Sequence, residues 1–338
     1  MTIAWVVGRG GVFGSALEIA LTQARTVLFV PSAQFAWRGG EALLSQIEDS
    51  ARAFAEAAAN ADRWEIYWAA GVGTMSSAEA ELVPETRALE VLLDAVGRSG
   101  LVRTDCGAFA LASSAGALYA GSSDPLISEA TDVAPTTPYA HAKLAQEKRV
   151  ERFAVDSGVR TLIGRISTLY GVGQSSGKAD GLLTHISRCM VRNRAVQIFV
   201  PLDTIRDYIA ADDAAAMLID ALGATESGRV RMKIIASEHP ATIGEIVSMF
   251  KRIARRPPRI ITSATPSTNI YSRRIQFRSI VPPHAKGRQT SLLVGVSQVM
   301  AAERARYVAP SEVPPAKTGS WLASKNRRRS HAVDGDAP

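Results

Sequence analysis

Apolar residues along this chain arrive first as a run and then as a period. Residues 2–8, "TIAWVVG", are almost unbroken hydrophobic, and after a glycine-rich corner "FGSALEIALTQA" repeats its apolar positions at helical spacing. That succession predicts strand, turn, helix. "TVLFVPS", ended by Pro31, is a second short β-branched run, and "WEIYWAAG" is a third strand. "ELVPETRALEVLLDAVGRSG" then carries an amphipathic helical period closed by Gly100, and "GAFALASSAGALYAG" runs from a strand into a loop of small residues. "PYAHAKLAQEKRVERFAVDSG" predicts a long helix with a proline at its start, and "VRTLIGRISTLYG" the next strand and its exit loop. Strands alternating with helices predict an α/β chain with a doubly wound parallel sheet.

Beyond Gly171 the pattern loosens. "LLTHISRCMVRN" and "ADDAAAMLIDALGA" read as helices, "AVQIFVP" and "RVRMKIIAS" as strands. "TIGEIVSMFKRIARR" opens on Thr242 with a glutamate three residues on, the signature of a capping box. Pro-rich segments at 257–266 and 309–315 punctuate the remainder, and no internal repeat is visible. The expected organisation is a first domain over 1–171, a smaller C-terminal lobe for substrate over 172–320 with some segments returning to the first domain, and a disordered basic tail over 321–338.

Length and composition narrow the class. A chain of 338 residues that is 46% hydrophobic is long enough for one large or two modest cores. Two cysteines, Cys106 and Cys189, lie far apart without metal-ligand spacing, which argues against a disulfide framework or a zinc site and fits a reducing compartment. No metal site is expected. No apolar run reaches the roughly 18 residues that span a bilayer, so the expectation is a cytoplasmic chain without a membrane partner.

The formal charge of +7 suggests nucleic acid only until it is divided along the chain. Residues 251–338 hold 17 Lys and Arg against 4 Asp and Glu, while the first 250 hold 22 against 28. The excess sits in "KRIARRPPRI", "SRRIQFR", "HAKGRQ" and the tail "KNRRRSHAVDGDAP", readable as a solvated surface or as a seat for a phosphate-bearing ligand. No aromatic and basic interleaving or helix-turn-helix accompanies it, so nucleic acid is not the expected partner.

Glycines at 8, 11 and 14 give the spacing G-x-x-G-x-x-G in "VVGRGGVFGSAL". Glycine admits positive φ, lets backbone approach a pyrophosphate and permits close packing of helix on strand, while the helix N-terminus favours anions. The alternative is a tight corner without a ligand. A dinucleotide site normally has an acidic residue at the end of the second strand to bind the adenine ribose, and none is present here. Ser32 and Arg38 stand there instead, and Arg9 lies inside the turn, which favours a 2′-phosphate and so NADP, with NAD the alternative. Either arginine could equally be a surface cation.

Tyr139 and Lys143 in "PYAHAK" are four apart, on one helix face. A phenol with a pKa near 10 becomes a better proton carrier when an adjacent ammonium favours the phenolate. Ser114, in "ASSAGALYAG", ends a strand where ligands of open α/β sheets bind and can bond the same substrate oxygen; Ser113 is the less favoured neighbour. His141 points off the face of Tyr139 and Lys143, and Asp212 and Asp213 belong to a helix start, where the dipole favours acids.

"GRGGVFG", the "SS" loop, "PYAHAK", "RISTLYG" and "RDYIAADDAA" occur in the order and spacing of a known family. Over roughly residues 3–250 the chain resembles the extended short-chain dehydrogenases/reductases, the NAD(P)-dependent epimerase/dehydratase family. The resemblance implies a Rossmann-like first domain in which Gly8, Gly11 and Gly14 bind the cofactor pyrophosphate, and "WAAG", with Ala69, Ala70 and Gly71, borders the cofactor. It implies that Tyr139 is the acid-base, that Lys143 holds the nicotinamide ribose and tunes Tyr139, and that Ser114 positions the substrate hydroxyl. It further implies that Arg206 faces a substrate diphosphate; the plainer reading of Arg206 is an ion pair with Asp207 or Asp212.

Departures from the family are specific. Thr86 and Thr168 stand where many members carry asparagine, so Thr168 becomes the candidate for that substrate contact. Ala115 and Gly116 follow Ser114 where sugar-nucleotide dehydratases carry Asp-Glu, which argues against dehydration. "VPLDT" replaces a Gly-rich turn ahead of Arg206. The expected function is therefore an NAD(P)-dependent epimerase or ketoreductase at a carbinol or carbonyl carbon, with a nucleotide sugar as substrate. A non-sugar carbonyl reductase and a catalytically inactive NADP-sensing protein are the alternatives. The resemblance also implies a homodimer, paired through the helices around 82–99 and 139–156.

Overall fold

The computed structural model of the chain describes residues 1–71, 73–101, 106–173, 181–262, 275–282 and 289–308. A six-stranded parallel sheet forms the centre, built from β1 (Thr2–Val7), β2 (Val27–Phe29), β3 (Arg63–Trp68), β4 (Gly107–Ser114), β5 (Arg160–Ile166) and β9 (Val230–Ile235). Its spatial order is β2-β1-β3-β4-β5-β9. The chain steps from β1 outward to β2 and then returns to the other side of β1 for β3, so the order reverses at β1. A crevice at the C-terminal ends of β1 and β3 follows from that reversal, and it is where open α/β sheets bind ligands.

Helices cover both faces, as parallel strands buried on both sides require. On one face α2 (Glu41–Ala58), α3 (Glu79–Arg98) and α5 (Pro138–Ser157) close a core that includes Trp5, Trp64, Trp68, Phe54 and Phe109. On the other, α1 (Val12–Gln23) and α7 (Ala211–Gly223) pack over Ala4, Val6, Ala108, Ala110 and Leu162. Strand β4 alternates accordingly, with Phe109 and Leu111 toward α3 and α5 and Ala108 and Ala110 toward α1 and α7. A short α4 (Ala115–Leu118) follows β4, with Ser114 as its N-cap.

A smaller lobe holds the remaining elements: β6 (Thr168–Tyr170), α6 (Leu182–Val191), β7 (Val196–Ile198), β8 (Ile205–Ala210), β10 (Pro240–Thr242), α8 (Ile243–Ala254), β11 (Ile260–Thr262) and α9 (Leu292–Val308). The strands β10-β8-β6 form one small sheet and β11-β7 another. Its core joins Tyr170, Ile186, Tyr208, Ile246, Phe250 and Val296. Thr242 caps α8 in a reciprocal box with Glu245, as the sequence predicts. Helix α7 and β9, which follow residue 171 in the chain, pack on the central sheet. The tail over 321–338, most of "HAKGRQ", the start of "SRRIQFR" and the Pro-rich stretch at 309–315 lie outside the described residues. Among the described residues no helix is long and apolar enough to cross a membrane.

Candidate active site and cofactor groove

A cavity of about 1070 Å³ opens at the crevice. Its wall comes from the turn after β1 (Arg9, Gly10, Gly11, Val12, Phe13), the loop after β2 (Pro31 through Gly39) and the end of β3 (Ala69, Gly71). The glycines divide their work by position. Gly8 has φ of +96°, and a Cβ there would lie 2.6 Å from Ala70 backbone; a Cβ on Gly14 would lie 2.2 Å from the Gly8 carbonyl oxygen. These two set the turn and seat α1 against the sheet without joining the cavity wall. Gly10 and Gly11 do line the cavity, and around Gly10 a Cβ would meet nothing within 4 Å.

Gly11 caps α1 without a side-chain acceptor, and the first turn contains no acidic residue. The orphan N–H groups and the positive end of the helix dipole are therefore left for an anion at the cavity floor. Backbone that can be approached closely, helix donors and a groove running on to the β2 loop fit a dinucleotide.

Ser32 and Arg38 line the β2-loop end of the cavity, and Arg9 lines the turn end. The two arginines differ. Arg9 Nε pairs with Glu18 at 3.0 Å, whereas Arg38 has no ion pair among the described residues. The loop is held by edge-to-face aromatic contacts, Phe35 on Trp37 and Trp37 on Trp68. Of "WAAG", Ala69 and Gly71 face the cavity, while Ala70 is buried in the core against Gly8.

Ser114, Tyr139 and Lys143 converge. The Tyr139 phenol hydrogen-bonds Ser114, and Lys143 Nζ lies 5.8 Å from the centre of the Tyr139 ring. Helix α5 places this face by a Thr137 cap that accepts from Ala140 N–H at 3.2 Å and by Pro138 in the first turn. Gly73 flanks the ring, since a Cβ there would lie 3.2 Å from Tyr139 Cδ2. Ser113 points away; it is buried, and its hydroxyl has no partner among the described residues. His141 is exposed.

The electrostatics at Tyr139 differ from the sequence expectation. Lys143 does pull toward the phenolate, and so does the Ser114 hydrogen bond. Burial is the larger effect, and with the negative charge of Glu85 it leaves the Tyr139 phenol above its ordinary pKa. For Lys143, burial is the largest effect and works against the ammonium, yet Glu85, Tyr139 and Glu147 together lift that pKa above its usual value.

Glu85 escaped the sequence reading. Lys143 Nζ donates to Glu85 Oε1 at 2.9 Å and to Gln146 Oε1 at 3.0 Å, and Gln146 Nε2 donates to Glu85 Oε1 at 3.1 Å. Thr86, one of the departures from the family pattern, accepts from Gln146 at 3.3 Å. The clue was periodicity. Leu82, Glu85, Leu89, Leu92 and Val96 form the buried stripe of α3, so a carboxylate stands on an apolar face. Helix α5 does likewise with Ala140, Lys143, Glu147, Val150 and Ala154. Glu147 accepts a bidentate pair from Arg165, at 3.1 Å from Nε and 2.7 Å from Nη2, and Arg165 Nη1 donates to Tyr119 at 2.6 Å.

The residues assigned to the substrate lie toward the second lobe. Thr168 lines a cleft of about 70 Å³ with Val12, Tyr170, Leu183 and Tyr208, next to Leu169, which also reaches the large cavity. Arg206, on β8, is not among the described residues lining the large cavity. It is half-buried, its Nη1 donates to the Ile205 carbonyl at 2.8 Å, and burial lowers its pKa. Asp207 is engaged elsewhere, accepting from Ser167 at 2.6 Å and from Ser237 N–H at 2.9 Å. Asp213 takes the Thr290 N–H at 2.7 Å. Among the described residues no three His, Cys, Asp or Glu converge as metal ligands.

The sequence profile of the NAD dependent epimerase/dehydratase family matches residues 4–234. A dTDP-L-rhamnose 4-epimerase of Burkholderia thailandensis is 26% identical over 99 residues, which are 29% of this chain and 27% of that protein. Among solved structures, the UDP-glucose 4-epimerase of Thermotoga maritima with UDP-glucose superposes with a TM-score of 0.72 at 19% identity, over 91% of this chain and all of the other. RMD from Pseudomonas aeruginosa complexed with NADPH gives 0.70 at 18% identity, over 90% of this chain and all of the other. The shared architecture is the parallel sheet with its flanking helices and the second lobe.

Proposed function

The chain belongs to the NAD dependent epimerase/dehydratase family and is an enzyme of the extended short-chain dehydrogenase type, and from that premise we propose that it acts at a carbinol or carbonyl carbon of a nucleotide-activated sugar, as a 4-epimerase or ketoreductase. The observation that carries this reading is the convergence of Ser114, Tyr139 and Lys143. A bound nicotinamide dinucleotide supplies hydride chemistry in such a site.

What the chain's own groups do follows from their placement. Gly10, Gly11 and the first turn of α1 receive the pyrophosphate. Ser32 and Arg38 take the adenosine ribose end, where a guanidinium with no ion pair among the described residues and the missing carboxylate favour a 2′-phosphate and hence NADP. Two of the three Lys143 N–H donors are used by Glu85 and Gln146, and the third serves a ribose hydroxyl. Ser114 holds the substrate oxygen, and Tyr139 gives or takes its proton. Thr168 and Arg206 are the substrate contacts proposed from the second lobe. A half-buried guanidinium gains from an anionic partner such as a diphosphate.

Tyr139→Phe tests the core of this reading. It keeps the ring and removes the proton, so turnover falls by about 10² or more while dinucleotide affinity stays near that of the parent. Turnover near the parent level removes Tyr139 from the chemistry. The substrate class is found by thermal shift of the NADP-loaded protein with UDP- and dTDP-sugars, and loss of the shift in Arg206→Ala supports its role. For assembly we propose a homodimer through α3 and α5, whose Val83 and Val155 are exposed; a monomer by light scattering overturns it.

A further inference from the structure

Beside Tyr139 lies a buried ion pair that joins α3 to α5. Glu85 and Lys143 sit on the core stripes of α3 and α5 with side chains 2% and 5% exposed. Taking two charges out of water is repaid only by close geometry and further hydrogen bonds, and an apolar pair of similar volume commonly serves stability as well. Here the geometry is close. Gln146 bonds both partners, and Glu85 also abuts the cofactor groove, because a Cβ on Gly71 would lie 3.3 Å from Glu85 Oε1.

Building on the reading of Tyr139 as proton carrier, we propose that Glu85 is a positioning residue that holds Lys143 charged and keeps Tyr139 as the phenol, so that the resting site is a proton donor set for carbonyl reduction. An ammonium alone beside a phenol favours the phenolate; a carboxylate on the far side of that ammonium opposes it. The other groups facing this cluster leave the argument intact. Glu147, one turn beyond Lys143 on α5, adds a smaller pull toward the ammonium than Glu85 and is held by the bidentate Arg165 of β5, which also bonds Tyr119, and Ser114 of β4 contributes only a hydroxyl. Burial and Glu85 together outweigh Lys143 at the phenol, in agreement with this picture. In the reductive direction the carbonyl carbon receives hydride from a reduced nicotinamide dinucleotide, which is oxidised. The C=O π bond opens, its oxygen takes the Tyr139 proton, and the phenolate left behind faces Lys143 and is reprotonated from solvent.

The test uses the purified full chain without cofactor or substrate. Tyrosine Cζ and lysine Cε are labelled with ¹³C, and the signals are assigned by Tyr139→Phe and Lys143→Met. Glu85→Gln removes the anion and keeps the shape, so the first proton leaves the Tyr139–Lys143 pair more easily whichever group yields it. The first transition is expected to fall by about one pH unit or more, a tenfold change in the ionisation constant, and Glu85→Asp, which restores the charge, returns it toward the parent. A first transition unmoved in Glu85→Gln overturns the proposal. A second measurement needs no variant: Lys143 of the parent protein remains an ammonium above about pH 10.4, where ordinary lysines are half titrated. Titration of Lys143 below those lysines also overturns the proposal. Both readouts are independent of turnover, so they are separable from a failure of Tyr139→Phe to slow the reaction.

Discussion

Arg9 Nε rests 3.0 Å from Glu18 Oε1, so the arginine inside the glycine turn is already neutralised by the helix it precedes. Arg38, across the same groove, carries no ion pair among the described residues. The reader of a 2′-phosphate is therefore expected to be Arg38. Arg38→Ala lowers the affinity ratio of NADP to NAD by about tenfold, the size of a charge-assisted hydrogen bond, and Arg9→Ala changes it by less than about threefold. Fluorescence titration with both reduced dinucleotides measures the ratio, and no change in Arg38→Ala rules that residue out.

Gly10 and Gly14 are expected to separate binding from folding. An added Cβ on Gly14 collides with the Gly8 carbonyl oxygen, so Gly14→Ala destabilises by roughly 1–3 kcal/mol even though alanine is the better helix former. Gly10→Ala meets open space; its denaturation midpoint stays with the parent while dinucleotide affinity drops. Urea unfolding beside cofactor titration checks the pair, and the reverse pattern contradicts the division of labour.

The buried Arg165–Glu147 pair predicts a large asymmetry. Glu147→Gln leaves a guanidinium buried without its anion and costs about 3–5 kcal/mol, whereas replacing both partners, Arg165→Met with Glu147→Leu, recovers most of that loss. Additive losses in the double variant, read from chemical denaturation, argue against the pair acting as a unit.

Tyr170 and Tyr208 give the second lobe an alkaline limit. Burial, with Asp213 for Tyr170, pushes both phenols up to about 12 from 10.0. The unfolded chain ionises first, so the stability these two phenols contribute is level below pH 10 and is lost as pH rises from there to about 12. The Tyr170 hydroxyl is buried without a partner among the described residues, so Tyr170→Phe is neutral or stabilising at neutral pH and makes the alkaline decline shallower. A pH series of denaturation midpoints decides it, and a decline as steep as the parent's excludes Tyr170 as a contributor.

Much of the fold was legible because it rests on local pattern. The run of "TIAWVVG", the period of "FGSALEIALTQA" and the Thr242–Glu245 box each act within a few residues, and each appears where the pattern put it. Helix α2 and helix α9 were not read from the sequence at all. In α2 the apolar positions are diluted by "EDSAR" and "EAA", and they bury Leu43, Ile47, Ala51 and Phe54 only because β1 and β3 present tryptophans to them. In α9, Gly295 packs on Tyr170, where a Cβ would come within 2.1 Å of the hydroxyl, a contact between segments about 125 residues apart.

By itself, the sequence determined the alternation of strands and helices and the glycine turn, and singled out Ser114, Tyr139 and Lys143 as candidates, because residue type and short spacing express those properties. Only the tertiary structure decided which glycines face the groove, that Arg9 is spent on Glu18 while Arg38 is not, and that Lys143 answers to a carboxylate from another helix. The reason is physical. The charge state of a buried group depends on every ion within a few ångströms, and Glu85 and Lys143, separated by 58 residues in the chain, become neighbours only when α3 and α5 pack on one face of the sheet.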